Sequence, residues 1–397
     1  MLDGVAMPRG VAQRLSRVKE SGTVKITDAV AKLRREGREV ISFSVGEPDF
    51  ETPAPVREAM KRALDVGAQQ KYGSAWGMPE LREAVAAKCR DENGIREAQA
   101  AHVMVTPAKQ AIFYAIIGLV DEGDEVLLPD PAWVSYEPLI ALAGGRTVRV
   151  PATLETDFRM TPEAIAERVT PRTKLIISNS PSNPTGGVAT EEDIKGLADL
   201  ARDHDLYVLS DELYEKVLYE GKHVSPASLP GMWERTLTVN GWSKAYAMTG
   251  SRMGWLLGDA PVMKELVKLQ QHSLTHPPLY VQAGALAALQ MDQAPVAQMR
   301  EEFRARRDLV VAGLREIPGW ECNVPKGAFY VFARFRHEVD SMRMAERLLH
   351  EGGVAVTPGI EFGPLGEGHV RISYANSREN LRRGLERVRD VSAKLPL

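Results

Sequence analysis

This chain is short of several things, and each shortage closes off a class of function. It has two cysteines, Cys89 and Cys322, in unrelated contexts. That excludes a disulfide framework and a cysteine metal site, and it predicts a reducing, cytoplasmic home. No apolar run approaches the roughly 18 residues that a membrane helix needs. The opening stretch MLDGVAMPRGVAQRLSRVKE has no apolar signal core. Neither sign of charge is concentrated, and the net charge is −3. A nucleic-acid groove or a membrane surface is therefore not expected. There is no GxGxxG after a strand, no Walker lysine loop and no HExxH, and the eight histidines show no metal spacing. His102, His204 and His276 read as solvated or structural. Internal repeats and low-complexity tracts are also missing.

What is present is an ordinary globular composition, 26% charged and 44% hydrophobic. At 397 residues the chain exceeds one ordinary core, so two domains are expected. From about residue 100 to 260, strand-like runs alternate with helical patterns. HVMVT (102–106) leads into a helix over 108–120, and EVLL (125–128) follows. KLIIS (174–178) precedes a Pro/Asn/Gly loop and then a helix over 191–204, opened by a Thr190/Asp193 capping pair. LYVLS (206–210) and TLTV (236–239) are further strands, with Asn240-Gly241 as a turn. Near-continuous apolar strands alternating with helices argue for an α/β fold with a parallel sheet covered on both faces. After Pro278 the pattern changes to a helical, Arg/Glu-rich segment over 299–315 and isolated strands at 328–332, 354–356 and 369–373. A smaller α+β domain built from both chain ends accounts for this. The expected division is 1–52, 53–290 and 291–397, the middle part being the large domain.

The informative polar residues follow the predicted strands on their C-terminal side, where open parallel sheets bind ligands. Ser243-Lys244 follows 236–239, and Arg252 lies eight residues beyond. A desolvated lysine beside a fixed cation suits a carbonyl compound that carries a phosphate. A surface lysine has the same local signature. Asp211 closes LYVLSDELYE, where a shielded carboxylate needs a cation or hydrogen-bond donors. A helix N-cap would serve as well as a protonated pyridine nitrogen. Tyr214 reaches the same ligand if the segment turns helically. Asn183, in NSPSNPTGG, is held by the prolines and glycines around it. Thr106-Pro107-Ala108-Lys109 puts proline at a helix start and leaves the Ala108 and Lys109 amides free for an anion. Trp133 can stack on a flat ring or pack in a core. Arg371 offers a two-pronged fork to a carboxylate, and Gly46 lets a backbone approach a ligand.

Together these motifs resemble the class I, fold type I pyridoxal-phosphate aminotransferases. The resemblance runs through SVGEPDF, KYGSAWGMPELREA, PAWVSYEP, NSPSNPTGGV, SDELYE, SKAYAMTGSRMGW, KGAFYVF and HVRISYA, in that order. It is nearest to the prokaryotic aspartate aminotransferases, with aromatic ones next. The resemblance implies pyridoxal 5′-phosphate as cofactor, with Lys244 as the internal-aldimine lysine and proton shuttle. Asp211 would pair the pyridinium nitrogen, Tyr214 and Asn183 would hold the ring oxygen, and Trp133 would stack on the ring. Arg252, Ser243 and the Ala108 and Lys109 amides would seat the phosphate. Tyr72 would reach the phosphate of a partner subunit, which implies a homodimer. Arg371 would clamp the substrate α-carboxylate with Asn183 and Gly46. Lys109, with Ser21 and Thr23, would receive an acidic side chain, which favours aspartate with 2-oxoglutarate over aromatic or prephenate substrates. A carbon–sulfur β-lyase would use the same lysine and aspartate. A regulator with an aminotransferase-like domain would need a DNA-binding segment that residues 1–40 do not supply. The chain departs from the family's pattern twice, at Pro107 where glycine is common and at Ser251 where tryptophan is common.

Overall fold

The computed structural model describes residues 10–18, 20 and 22–397, apart from the side chains of residues 23–25 and 68. Its strands in chain order begin with the short β1 (Ile41–Ser42). The alternating region then supplies β2 (Val103–Val105), β3 (Glu125–Asp130), β4 (Arg146–Pro151), β5 (Thr173–Asn179), β6 (Tyr207–Asp211), β7 (Thr236–Gly241) and β8 (Gly254–Leu257). These seven form one sheet in the order β2-β8-β7-β6-β5-β3-β4. Within it β8 alone runs against the others.

The helices are α1 (Gly22–Arg35), α2 (Ala54–Leu64), α3 (Pro79–Asp91), α4 (Ala108–Leu119), α5 (Tyr136–Ala143), α6 (Pro162–Ala166) and α7 (Glu191–Asp203). After the sheet come α8 (Ala260–Gln271), α9 (Leu279–Gln290), α10 (Ala294–Arg315), α11 (Ser341–Gly352) and α12 (Arg378–Ser392). Alternation along the strands divides their apolar side chains between two covered faces. Leu175 and Ile177 of β5 pack with α4 and α8 residues such as Ile112, Ile116 and Leu266. Ile176, between them, packs on the other face with Leu197, Ala198 and Ala201 of α7. Leu197 and Ala198 lie four and three residues before Ala201, so the three share one face, as an amphipathic helix requires.

A second sheet is built from β9 (Trp320–Glu321), β10 (Tyr330–Phe335), β12 (Thr357–Pro358) and β13 (His369–Ser373), antiparallel in the order β12-β13-β10-β9. Strand β11 (Val354–Ala355) instead pairs parallel with β1. Ile41 and Phe43 therefore share a core with Val310, Leu348 and Ile372, and the smaller α+β layer draws on both chain ends.

Sequence and structure differ in a few places. Asn240 and Gly241 belong to β7 rather than to a turn, because Gly241 pairs with Gly254 of β8. A Cβ on Gly241 would lie 2.7 Å from the Gly254 Cα, so two glycines are needed where these strands touch. The segment expected as a helix from residue 299 starts at Ala294, with Pro295 in its first turn. Strands β4 and β8 were not expected. RTVRVP alternates charge with apolar residues at a sheet edge, and GWLL is only four residues long. The Thr190/Asp193 cap is reciprocal: Asp193 N–H donates to Thr190 Oγ1 at 3.1 Å, and Thr190 N–H donates to Asp193 Oδ2 at 2.8 Å.

Candidate active site

The C-terminal ends of β5, β6 and β7, the start of α4 and the β13 strand of the second sheet open onto one cavity of about 440 Å³. Lys244, Ser243, Arg252, Asp211, Tyr214, Asn183, Trp133, Ala108, Lys109, Gly46 and Arg371 all line it.

Lys244 follows β7 and donates from Nζ to the Gly46 carbonyl at 2.6 Å. Its amine lies 5.9 Å from the ring centres of both Tyr214 and Phe329. Burial pulls the amine down to about 8, Glu47 opposes that, and the Arg371 and Arg252 charges reinforce it. A minor neutral fraction is thus present near neutral pH, far larger than an ordinary lysine has.

Asp211 ends β6 and is 6% exposed. Its Oδ2 accepts from Tyr136 OH at 2.6 Å, and its Oδ1 accepts from the Leu213 N–H at 3.2 Å. Burial raises the carboxyl to about 6, those two hydrogen bonds resist the rise, and neighbouring Glu212 adds to it. The segment after Asp211 is a turn, not a helix that Asp211 caps. That turn brings Tyr214 to the cavity, where its hydroxyl meets Tyr330 OH at 2.7 Å.

Asn183 is placed by Asn179, whose Oδ1 accepts from the Asn183 N–H at 2.9 Å. In turn Arg371 Nη1 donates to Asn183 Oδ1 at 2.9 Å, and Arg371 Nη2 donates to the Ser44 carbonyl at 2.6 Å. Arg371 is 4% exposed, lies over the Tyr330 and Phe362 rings, and leaves its Nε without a partner. Among the described residues no carboxylate pairs with it. Burial lowers its affinity for its proton, and the Tyr330 and Tyr214 hydroxyls partly offset that. A buried guanidinium without a counter-ion is costly, and a bound carboxylate would relieve that cost.

At the other end, Ala108 is the first residue of α4 and Pro107 its cap. A Cβ on Gly254 would lie 2.7 Å from the Ala108 amide nitrogen, so glycine there lets the helix start sit against β8. Arg252 adopts the left-handed conformation (φ 54°) and donates to the Thr249 carbonyl at 3.0 Å. Lys109 Nζ lies 5.0 Å from the Trp133 ring centre. Desolvation first and the Arg252 charge second lower the Lys109 amine from its ordinary range. Two cations beside a helix N-terminus make a seat for an anion.

One expected residue stands apart. Tyr72 is 91% exposed, away from the cavity, with its ring edge-on to His276 at 6.2 Å. Its loop is pinned there because Gly73 N–H donates to His276 Nε2 at 2.8 Å. Ser21 and the Thr23 side chain lie outside the described residues. The backbone of Thr23 is in α1, whose Thr27 and Asp28 do line the cavity. A helical reading of that segment would have set positions 23 and 27 on one face. Sequence reasoning also passed over Tyr136, Tyr330 and Asn179, which hold Asp211, Tyr214 and Asn183. Tyr136 stood inside the quoted PAWVSYEP, and Tyr330 inside KGAFYVF.

Residues 38–388 match the family model described as aminotransferase class I and II. The aspartate/prephenate aminotransferase of Thermus thermophilus is 44% identical over 383 residues, covering 96% of this chain and 98% of that protein. The aromatic-amino-acid aminotransferase 2 of Thermococcus litoralis is 41% identical over 386 residues, with the same coverage. Among solved structures, the aspartate aminotransferase from Thermus thermophilus with maleate superposes with a TM-score of 0.92 at 44% identity, over 96% of this chain and all of that one.

Proposed function

This chain belongs to the class I and II aminotransferases, and from that membership we propose that it moves the amino group of an L-amino acid, aspartate foremost, to a 2-oxo acid, 2-oxoglutarate foremost. One observation carries the reading. A single cavity gathers a desolvated lysine, a buried carboxylate and a buried arginine that has no carboxylate partner among the described residues.

The residues fit pyridoxal 5′-phosphate. Asp211 would face the ring nitrogen, Tyr214 and Asn183 the ring oxygen and Trp133 the ring face. Ser243, Arg252 and the Ala108 and Lys109 amides would hold the phosphate. When bound, the group supplies a reactive carbonyl and an electron-withdrawing ring. The chain's own residues do the rest. Arg371 grips the substrate α-carboxylate beside Asn183 and Gly46, which fixes the Cα–H bond near Lys244. The Lys244 amine, whose hold on its own proton burial weakens, takes the Cα proton and later returns one. The 2-oxo acid then meets the same groups in reverse order.

Lys109 is the reason to favour an acidic substrate, with Ser21 and Thr23 as expected partners. The relatives named for prephenate and aromatic amino acids keep a second substrate class in view. Lys109→Ala separates the two. We expect kcat/KM for aspartate to fall by about 10- to 100-fold, the loss of one charge-assisted contact, with phenylalanine changed little. Unchanged aspartate turnover beside good phenylalanine turnover would defeat the acidic reading. Release of ammonia and pyruvate from a cysteine conjugate with no oxo acid present would favour the β-lyase instead.

We further infer a homodimer in which Tyr72 serves the partner's site. Its exposure and its pinned loop support this. The cytoplasm is the proposed location, supported by two buried, unpaired thiols. Among the described residues, no helix is long and apolar enough to cross a membrane.

A further inference from the structure

Behind Asp211 lies a buried charge cluster that the proposed reaction does not use. Glu212 follows Asp211 directly and is 1% exposed. Its backbone is tied to the next strand, the Glu212 N–H donating to the Val239 carbonyl at 2.9 Å. Its Oε1 accepts from Ser210 Oγ at 3.0 Å and Ser225 Oγ at 2.6 Å. Its Oε2 lies 3.0 Å from His223 Nε2. One turn on, the Glu215 carboxylate takes the Lys88 ammonium of α3 on Oε1 and the Asn93 amide on Oε2, the latter at 2.6 Å. The two acids thus pair off with His223 and Lys88. The turn that carries Asp211 and Tyr214 is pinned on the side away from the cavity.

We propose that His223 acts through Glu212 as a positioning residue, offsetting the Glu212 charge so that the Asp211 carboxylate stays ionised toward the cavity. The proposal rests on the aminotransferase reading, in which Asp211 meets a ring nitrogen. Like charges on adjacent buried residues oppose each other's ionisation, and a cation on the far one removes most of that opposition. The groups facing Asp211 are Tyr136 from α5, Lys244 after β7, and Glu212 and Tyr214 from its own turn. Those facing His223 are Glu212, Glu215 and Lys88. Burial pulls the His223 ring down, but the two glutamates outweigh it and raise the ring above a free histidine, as a counter-ion role needs.

Two near-isosteric variants test it with opposite signs. His223→Gln keeps a donor for Glu212 and removes the charge. Glu212→Gln keeps acceptors for Ser210 and Ser225 and removes the like charge beside Asp211. Pyridoxal phosphate affinity would be followed from pH 5 to 9. In parallel, the carbon-13 carboxyl resonance of Asp211 would be titrated in the apoprotein. We expect the acid limb of both curves to move up by about one pH unit in His223→Gln and down in Glu212→Gln, with the double variant near wild type. Limbs that stay in place, or that move the same way in both variants, would overturn the proposal. If His223→Gln does not fold, the direction of the Glu212→Gln shift decides alone. Failure of the aminotransferase reading would look different: no pyridoxyl adduct on Lys244 in any protein, wild type included, while the apoprotein titration still reports on His223.

Discussion

Asp211 shows what one residue costs and what it is kept for. Its carboxyl titrates at about 6 against an ordinary 3.8 because it is buried. The folded apoprotein therefore holds that proton more tightly than the unfolded chain, and folding stability falls as pH rises from about 4 to about 6. Asp211→Asn removes the penalty. The apo variant should exceed wild type by about 1–3 kcal/mol above pH 6 and match it below pH 4, read from urea midpoints across the pH series. A bound cation at the ring nitrogen would repay the same penalty in the wild type only. That Lys244, Asp211, Asn183 and Arg371 share one cavity was legible in the sequence, because each is a polar residue in or beside a strand-like run and together they match ordered motifs. Tyr136 and Tyr330 were not legible as supports. A tyrosine in such a run reads as core until the fold brings it to its partner, Tyr136 of α5 to Asp211 and Tyr330 of the second sheet to Tyr214.

At the scale of elements, the site depends on how closely β8 and the start of α4 approach. Gly254 sets that distance, since a Cβ there would meet the Ala108 amide nitrogen at 2.7 Å and the Asn240 carbonyl at 2.8 Å. Both are backbone atoms and cannot rotate away. Gly254→Ala should destabilise the protein by about 1–3 kcal/mol. It should also weaken pyridoxal phosphate binding more than a Gly67→Ala control, where a Cβ meets nothing within 4 Å and no positive φ is required, compared by thermal unfolding and by titration of the apoprotein. The strands from β5 to β7 were legible as continuous apolar runs. β8 was not, because four residues ending a polar loop carry too little pattern, and its antiparallel direction is set by the tertiary pairing of Gly241 with Gly254. The expected turn at Asn240-Gly241 failed for the same reason: local turn propensity lost to a close strand contact.

At the scale of the whole molecule, segments from both ends of the chain share the smaller layer, and Arg371 reaches the cavity from it. Strand β1 pairs parallel with β11 in that layer, and the change of pattern after Pro278 together with the different composition of the first fifty residues is what pointed to it. The boundaries at 52/53 and 290/291 remain our proposal, to be checked by where mild proteolysis cuts the apoprotein. Tyr72 is the residue that one copy cannot explain. If it serves a partner's site, Tyr72→Ala and Lys244→Ala proteins, each nearly inactive, should regain activity when refolded together, because mixed dimers then contain one site with both residues. No recovery from verified mixed dimers would mean that Tyr72 acts within its own chain or not at all. The central claim is that Lys244 carries the cofactor and gives it up to an amino acid. Borohydride reduction of the cofactor-loaded enzyme followed by peptide mass spectrometry tests this most directly. The account predicts a pyridoxyl phosphate group on Lys244, lost when aspartate is added first and restored by 2-oxoglutarate. An adduct on another lysine, or one that aspartate does not displace, would contradict it.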